Sequence, residues 1–186
     1  MWPLASWINE LYELRKTDSE QAKARFKNEY QCYLNKDFLL TYYLVTEALL
    51  MADSRVKNMM IATWGKENYG SGSGNIGNND IYSYYPLVKD ENGKWVPDTT
   101  QEKIYTNNYI FYPIFYDMDT MLGLDNTGVF RFKYFDEDTD PSIFNGEEIL
   151  WNFVRDALGE ELLPWYSKLE GALLTSGQIL PYFNDN

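Results

Sequence analysis

The sequence contains no histidine and only one cysteine among its 186 residues. Without histidine, imidazole-based catalysis, histidine-ligated zinc and the usual side-chain switch near neutral pH are all excluded. With Cys32 alone, no internal disulfide bond is possible. This cysteine stands between Tyr30, Tyr33 and Leu34, and we expect it to be a small residue of the core.

Basic residues are also few, because 16 lysines and arginines stand against 28 aspartates and glutamates, which gives a formal net charge of −12. A surface of this charge repels phosphate backbones and anionic lipids, so nucleic acid and membranes are not expected as partners. No segment approaches the run of ~18 uncharged apolar residues of a membrane span, and the first residues lack a signal-peptide pattern. The carboxylates serve either solubility or the binding of cations.

Aromatic residues are plentiful at 17% of the chain. Such side chains combine a large apolar surface with a polar tip, and they are enriched at protein interfaces. Two interpretations stay open: a tyrosine-rich core and rim, or a surface used in assembly. The length suits one domain over residues 1–186, and no repeat or linker divides it.

The spacing of apolar residues predicts three helices in the first 51 residues. The first begins near Leu4, and the second follows the N-cap oxygens that Thr17, Asp18 and Ser19 offer. The third runs from about 38 to 51, with Asn35 or Asp37 as its cap. Because this third helix is apolar on almost every side, we expect it at the centre of the domain.

Strands are expected in the middle of the chain. Residues 59–64 are typical of a buried strand, and residues 109–116 of a second strand in which Pro113 marks an edge or a bulge. Between them, residues 65–108 are predicted to be an irregular Gly/Asn/Tyr-rich insertion with a small hairpin at Asn92-Gly93. Residues 129–135 form a further candidate strand by alternation.

Helical spacing returns near Ile149, and Gly159 and Gly171 are expected to break this region into separate helices. The whole pattern predicts an α+β fold, mostly helical, with a small antiparallel sheet. Two apolar faces are expected in the last region, one with Ile149, Leu150, Phe153, Val154 and Ala157, and one with Leu162, Leu163, Tyr166, Leu169 and Leu173.

A first polar motif follows the third helix, where Asp53 and Asn58 stand five positions apart. This Asp-x-x-x-x-Asn spacing is that of a kinase catalytic loop, in which the Asp accepts the proton of the attacking hydroxyl and the Asn holds a metal ion. Two residue types at one spacing also arise by chance. In that case Asp53 caps a turn and Asn58 bonds to its own loop.

A second polar motif ends the predicted strand at 109–116, where Asp117 and Asp119 precede Gly123. Hard cations such as Mg²⁺ prefer oxygen ligands and are often held by one or two carboxylates. Two like charges this close repel each other unless a cation or hydrogen-bond donors offset them. The alternative is a solvated strand end in which Asp119 caps a turn.

Two further motifs are weaker. The glycine-rich segment 70–77 lacks the Gly-Lys-Ser/Thr ending of a phosphate-binding loop, so we expect a loop there that is mobile or is ordered by a partner. The acidic segment 136–140 lacks the glycine and the terminal glutamate of a calcium-binding EF-hand loop, so we expect it to be solvated.

The order of these parts resembles the CotH spore-coat kinase family. Segments 38–44, 52–58 and 111–119 carry the likeness: a helix that ends in an Asp, an Asn-led strand, and an aromatic strand that leads into Asp-x-Asp. The likeness covers roughly residues 1–125. The amino-acid sequence from Phe111 to Gly128 also resembles CotH-like segments in structural proteins of gut bacteriophages, including crAss-like ones.

This resemblance implies a fold like the large lobe of a kinase, with Asp53 as the catalytic aspartate if the lobe is active. Asn58 and either Asp117 or Asp119 would hold Mg²⁺ or Ca²⁺, and ATP would bind only in an active kinase. Kinases of this family also have a small lobe with a phosphate-binding lysine on a strand. We expect this small lobe to be absent here, because the first helix already matches the large lobe. The lysines of the first two helical segments, Lys16, Lys23 and Lys27, are predicted to lie on helices.

Three functions follow as expectations. The first is a structural component of a bacteriophage virion, tail-associated, which is assembled with other virion proteins in the host cytoplasm. The second is a CotH-type protein kinase lobe that uses Mg²⁺ and ATP and belongs to a longer precursor. The third is a metal-stabilised interaction module without a nucleotide.

Overall fold

The computed structural model describes residues 3–51, 54–55, 58–63, 83–106, 109–117, 121 and 149–173. Within them the protein is α+β, as predicted, with four α-helices and three separate two-stranded antiparallel sheets. The elements are α1 (Pro3–Thr17), α2 (Ser19–Glu29), a 3₁₀ turn (Tyr30–Cys32), α3 (Lys36–Ala48), β1 (Met60–Ala62), β2 (Ser83–Tyr84), β3 (Leu87–Lys89), β4 (Trp95–Pro97), β5 (Ile104–Tyr105), β6 (Tyr112–Ile114) and α4 (Ile149–Leu173).

The N-termini of α2 and α3 are capped by side chains. Asp18 Oδ1 accepts a hydrogen bond of 2.9 Å from the Gln21 backbone N–H. Asn35 Oδ1 accepts one of 3.1 Å from the Phe38 N–H, so Asn35 rather than Asp37 begins α3. Each cap satisfies one of the backbone donors that a helix start leaves unpaired.

Stacked aromatic rings join the N-terminal helices to α4. The Trp7 ring lies 4.4 Å from that of Tyr33 and 5.3 Å from that of Phe26, and Phe26 in turn stacks on Phe153 of α4 at 5.3 Å. Cys32 is buried beside this core as predicted, and burial raises the pKa of its thiol to about 11. The tyrosine-rich core is therefore real, although ten large hydrophobic side chains of the described residues remain exposed.

Helix α3 ends earlier than the sequence predicts, at Ala48 instead of Met51. Leu50 adopts a left-handed backbone with φ of 48°. The Met51 N–H then donates to the Thr46 carbonyl at 2.8 Å, and the Leu50 N–H to the Glu47 carbonyl at 3.2 Å. Glycine is the usual residue in this helix-ending arrangement. Because leucine occupies the position here, the sequence gives no signal that the helix ends.

Helix α3 is also less enclosed than its apolar sequence predicts. Leu39, Leu40, Tyr42, Tyr43 and Thr46 are buried, but Leu44 and Val45 are only half-buried. The expectation of a helix buried on all sides is therefore wrong, because the core lies against one face only.

Strands β1 and β6 pair antiparallel, with Met60 opposite Ile114 and Ile61 opposite Pro113. The predicted strand at 59–64 is shorter than expected and is not buried, because Met60 is 43% exposed. The chain just before β6 continues the pairing on the other side, where Leu34 and Phe111 form a parallel bridge. This small sheet therefore lies at the surface, beside α3.

The hairpin predicted at Asn92-Gly93 is confirmed. Strands β3 and β4 pair antiparallel, and Gly93 takes the positive φ of 76° in the turn. A second ladder, β2 with β5, encloses this hairpin and was not predicted. The expectations for residues 70–77, 129–135 and 136–140 lie outside the described residues.

Helix α4 is continuous through Gly159, Pro164 and Gly171, so the predicted breaks at the two glycines are wrong. Leu158 is buried on one side of Gly159, and on the other side Trp165 donates a hydrogen bond of 3.0 Å to the Thr41 hydroxyl of α3. Packing on both sides of Gly159 thus keeps the helix continuous, because glycine in a helix interior costs only about 1 kcal/mol relative to alanine.

Gly159→Ala is expected to raise the free energy of unfolding by about 0.5–1 kcal/mol, since a Cβ there meets nothing within 4 Å and alanine favours a helix interior. Gly93→Ala is the matched control, and it is expected to lower that free energy because of the positive φ. Urea titration of both variants measures the difference. A destabilised Gly159→Ala would show that α4 bends or opens at this point.

Candidate cation site

The β1–β6 ladder brings Asn58 and Asp117 to the same end of the small sheet. Asn58 stands two residues before Met60, and Met60 pairs with Ile114. If the register is continued by two residues, Asn58 falls opposite Tyr116, the neighbour of Asp117. Opposed residues of antiparallel strands lie roughly 4.5–5.5 Å apart at Cα. Two predicted site residues, 59 positions apart in sequence, therefore share one end of the ladder.

Asp117 has a left-handed backbone, with φ of 53°, and its side chain is exposed. Aspartate tolerates this conformation better than most residues, yet it remains uncommon outside glycine. Such conformations cluster at functional sites, where the surrounding structure holds them. The residue with this conformation is the one whose carboxylate is predicted to bind a cation.

The other two predicted residues, Asp53 and Asp119, lie outside the described residues. The segment between Asp53 and Asn58 is located, however, because Ser54 and Arg55 are described and fully buried. Both residues are helical, and they anchor the segment that carries the Asp-x-x-x-x-Asn motif to the core at the second and third positions of the motif.

Arg55 bonds to the last turn of α3. Its Nε donates to the Thr46 hydroxyl at 2.8 Å, and its Nη2 donates to the Tyr43 carbonyl at 2.7 Å. The guanidinium carbon lies 4.2 Å from the centre of the Tyr43 ring. A positive charge at a helix C-terminus is favourable, because the unpaired carbonyls there carry partial negative charge.

The charge of Arg55 is balanced by Glu47. The two side chains approach to 2.7 Å, although Arg55 is completely buried and the Glu47 side chain is 48% exposed. The guanidinium therefore gains a carboxylate and a carbonyl partner while the carboxylate keeps part of its water. This geometry reduces the desolvation cost that makes fully buried ion pairs weak.

Tyr42 connects Ser54 to α4 and to Phe115, the residue that follows β6. Its hydroxyl donates to the Ser54 carbonyl at 2.6 Å. Its ring stacks on Phe115 at 4.7 Å and on Trp151 at 5.2 Å. Burial raises the pKa of Tyr42 to about 12, although the charge of Arg55 opposes the shift. The hydroxyl therefore stays protonated and remains a donor throughout the physiological range.

Two buried polar atoms close to Tyr42 have no hydrogen-bond partner in the described part of the chain: Ser54 Oγ and Trp151 Nε1. Ser54 accepts the Tyr42 hydroxyl at its carbonyl, and Trp151 stacks on the Tyr42 ring. Buried groups of this kind are usually satisfied by an ordered water. The core beside Tyr42 therefore contains two polar atoms that can each still form a hydrogen bond.

The roles of Arg55, Tyr42 and Trp151 were missed by sequence reasoning. One signal was available, since an arginine that soon follows an apolar helix is a candidate partner for the last carbonyls of that helix. No comparable signal identifies Tyr42 or Trp151, because their importance comes from long-range stacking.

The donors at the ladder end suit a hard cation. The amide oxygen of Asn58 and the carboxylate of Asp117 are the ligand types that Mg²⁺ and Ca²⁺ prefer. Among the described residues, no group of three or more Cys, Asp or Glu side chains could hold a metal ion. A complete site therefore requires Asp53, Asp119, backbone carbonyls or water beside these two.

The three lysines predicted to lie on helices do so, and each is paired. Lys16 contacts Glu13 at 2.6 Å, Lys23 contacts Glu20 at 2.9 Å, and Lys27 contacts Glu160 at 2.9 Å. Among the described helices, none is long and apolar enough to cross a membrane.

The fold and the site define an α+β protein with two oxygen donors at one end of a two-stranded ladder. Compared with protein-family models, with curated proteins and with solved structures, the chain matches none.

Arg55→Met is expected to lower the free energy of unfolding by about 2–4 kcal/mol, because the Tyr43 carbonyl and the Thr46 hydroxyl lose a charged donor in the core. Glu47→Gln is the matched variant for the other partner, and about 1 kcal/mol or less is expected from its half-exposed position. Urea unfolding followed by tryptophan fluorescence measures both. Equal effects of the two substitutions would contradict the role given to the buried contacts.

Proposed function

We propose that this chain is a structural component of a bacteriophage virion, tail-associated, in which a kinase-like lobe serves as a scaffold. Its neighbours would contact the surface around the β1–β6 ladder, and a cation would bind at the end of that ladder. The observation that carries the proposal is the combination of exposed aromatic side chains and two oxygen donors around one small sheet. The resemblance to CotH-like segments of phage structural proteins is the reason why we propose a bacteriophage virion as the assembly.

The contact surface consists of Phe38, Met60, Tyr109 and Tyr116, which we call the ladder surface. These side chains are 43–54% exposed, although each is large and apolar or amphipathic. Phe38 stands edge-on to Tyr112 of β6, with ring centres 5.1 Å apart. Aromatic residues and methionine are the types that interfaces favour. The ladder surface therefore has the composition of a contact region.

The scaffold below this surface is rigid enough to present it. Tyr42 contacts Ser54, Phe115 and Trp151, which belong to three separate segments of the chain. Arg55, the neighbour of Ser54, bonds to the last turn of α3. Binding groups are more precise on elements that are locked by packing than on free loops. A cation at Asn58 and Asp117 would also offset part of the net charge of −12, which otherwise opposes association.

A second candidate function is a CotH-type protein kinase lobe that uses Mg²⁺ and ATP. The shared position of Asn58 and Asp117 and the left-handed backbone of Asp117 favour it. In that case Asp53 would accept the proton of the attacking hydroxyl, and Asn58 with Asp117 or Asp119 would hold the metal. A third possibility, a metal-stabilised interaction module, uses the same two donors without a nucleotide.

Peptides of this chain are expected in bacteriophage particles purified by density gradient from a host that carries the sequence. Mass spectrometry of the particle fraction and of the particle-free lysate measures the distribution. Enrichment with the tail and collar proteins supports the structural role. Confinement of the peptides to the particle-free fraction would contradict it.

Millimolar Mg²⁺ or Ca²⁺ is expected to raise the melting temperature of the protein, because a ligand at about 100 times its Kd adds ~2.7 kcal/mol of stability. Asp117→Asn is expected to abolish the shift while it keeps the fold, since asparagine also tolerates a positive φ. Glu91→Gln, which removes an exposed carboxylate from the β3–β4 turn, is the control and should retain the shift.

The same assay separates the candidates. A further shift on addition of ATP with Mg²⁺ would favour the kinase, whereas no further shift up to millimolar ATP would reject it for this chain. Equal shifts in all variants would show that the cation binds elsewhere and would contradict the site.

A further inference from the structure

A cleft of about 780 Å³ lies between α2, the β3–β4 hairpin and α4. Small residues keep it open, because Ala24 lines it from α2, and Ala157 and Gly159 line it from α4. A Cβ placed on Gly159 meets nothing within 4 Å. The volume falls within the range of roughly 300–1,000 Å³ that ligand sites have. None of the described residues that line the cleft belongs to the candidate cation site or to the ladder surface.

Four lysines line this cleft, although the chain has only 16 lysines and arginines and a net charge of −12. Lys23 and Lys27 stand one turn apart on α2, while Lys89 lies in β3 and Lys94 in the turn before β4. A lysine ammonium is a compact charge on a flexible stem, and it attracts carboxylates and phosphates without the fixed geometry of arginine. The cleft therefore concentrates positive charge on two of its walls.

The ammonium groups of the two hairpin lysines are available to a ligand. Within the described part of the chain, neither makes a hydrogen bond or an ion pair. Lys89 Nζ lies 4.9 Å from the centre of the Trp95 ring, and both Lys89 and Lys94 are exposed. Cation–π contacts at exposed sites are weak, so this contact does not prevent Lys89 from turning to a carboxylate.

The two lysines of α2 have partners that a ligand can replace. Lys23 contacts Glu20 at 2.9 Å and Lys27 contacts Glu160 at 2.9 Å, but the two glutamate side chains are 78% and 87% exposed. Exposed ion pairs of this kind contribute little to stability. The hydrogen bond from Lys27 and, at longer range, the charge of Lys94 hold the pKa of the Glu160 carboxyl below its usual value. Lysines of both walls thus act on the same part of the cleft.

The other two carboxylates of the cleft already have partners in the fold. Asp18 Oδ1 caps α2, and Asp18 Oδ2 accepts a hydrogen bond of 3.4 Å from Trp95 Nε1. Asp156 contacts Arg15 at 3.1 Å and Arg155 at 3.2 Å. Because these donors stabilise both charges, the two aspartates oppose an incoming anion less than free carboxylates would.

The spacing of the lysines favours an extended peptide over one compact anion. Lys23 and Lys27 are separated by about 6 Å along the axis of α2. Side chains on one face of an extended peptide are separated by a similar distance, ~7 Å. Beside the hairpin lysines, the half-buried Trp95 ring offers a surface on which an apolar or aromatic side chain can pack. A single phosphate has neither the second charge nor the apolar part.

We propose that the cleft between α2, the β3–β4 hairpin and α4 binds an acidic, extended peptide segment of a partner protein, whose carboxylates contact the four lysines. The acidic surface of this chain opposes general association with other acidic proteins. A basic cleft therefore gives one defined place at which an acidic partner can attach. The inference rests on neither the cation site nor the ladder surface, and it does not require that the protein is part of a virion.

The test is the binding of a fluorescein-labelled peptide, in which glutamate alternates with tyrosine, to the full chain at low ionic strength. Fluorescence anisotropy measures the Kd. The cleft variant is Lys89→Gln with Lys94→Gln, and its matched control is Lys16→Gln with Lys168→Gln. All four lysines are exposed, and each double variant changes the net charge by the same amount. A second peptide, with glutamine in place of glutamate, tests whether the carboxylates are recognised.

The cleft variant is expected to bind the glutamate peptide about tenfold more weakly than the unsubstituted protein, since two charged contacts are lost. The control is expected to bind it almost unchanged. Equal losses in both variants would show only general charge attraction and would overturn the proposal. Equal binding of the glutamine peptide, or no binding of the glutamate peptide at millimolar concentration, would overturn it as well. Inorganic phosphate that displaces the labelled peptide at a lower concentration than unlabelled peptide does would assign the cleft to a compact anion instead.

The indole N–H resonance of Trp95 locates the bound peptide by nuclear magnetic resonance. It is expected to shift during the titration, because Trp95 lines the cleft, while the resonances of the buried Trp7 and Trp151 keep their positions. Trp95→Phe identifies the resonance. Binding that leaves it unchanged would place the peptide elsewhere on the protein and would contradict the site. Unchanged resonances of the buried indoles in both lysine variants verify that the fold is preserved.

Discussion

The buried guanidinium of Arg55 at the end of α3 is the interaction on which the rest of the candidate site depends. It bonds to the Tyr43 carbonyl and the Thr46 hydroxyl, and its charge is met by Glu47 at the rim. A buried cation without such partners costs several kcal/mol, so the position of Arg55 is tightly specified. Asn58 follows only three residues later in the sequence, so this contact also restricts where Asn58 can lie.

Local chemistry made much of the helical part predictable. The caps at Asp18 and Asn35 follow from side-chain oxygens that accept backbone N–H groups, and the hairpin at Asn92-Gly93 follows from the glycine that its turn requires. The errors have a different origin. Helix α4 crosses Gly159 because packing on both sides exceeds a small propensity cost, and β1 is exposed because no described element covers it.

The residue types of the candidate site were predictable from the sequence, but their proximity in the folded protein was not. Asn58 and Asp117 were selected by spacing and residue type, and their proximity appears only through the register of two strands that a long insertion separates. Of the residues that support them, Arg55 carries a local signal, because it soon follows an apolar helix. Tyr42 and Trp151 carry none, because stacking and buried hydrogen bonds join distant parts of the chain.

The stack of Tyr33, Trp7, Phe26 and Phe153 has a consequence for synthesis on the ribosome. The first three rings lie within the first 33 residues, whereas the fourth is added more than a hundred residues later. Contacts between such distant segments form late, because the intervening chain loses much entropy when it closes the loop. The nascent chain therefore carries an incomplete aromatic surface until α4 emerges, and during that interval it is a natural client for chaperones.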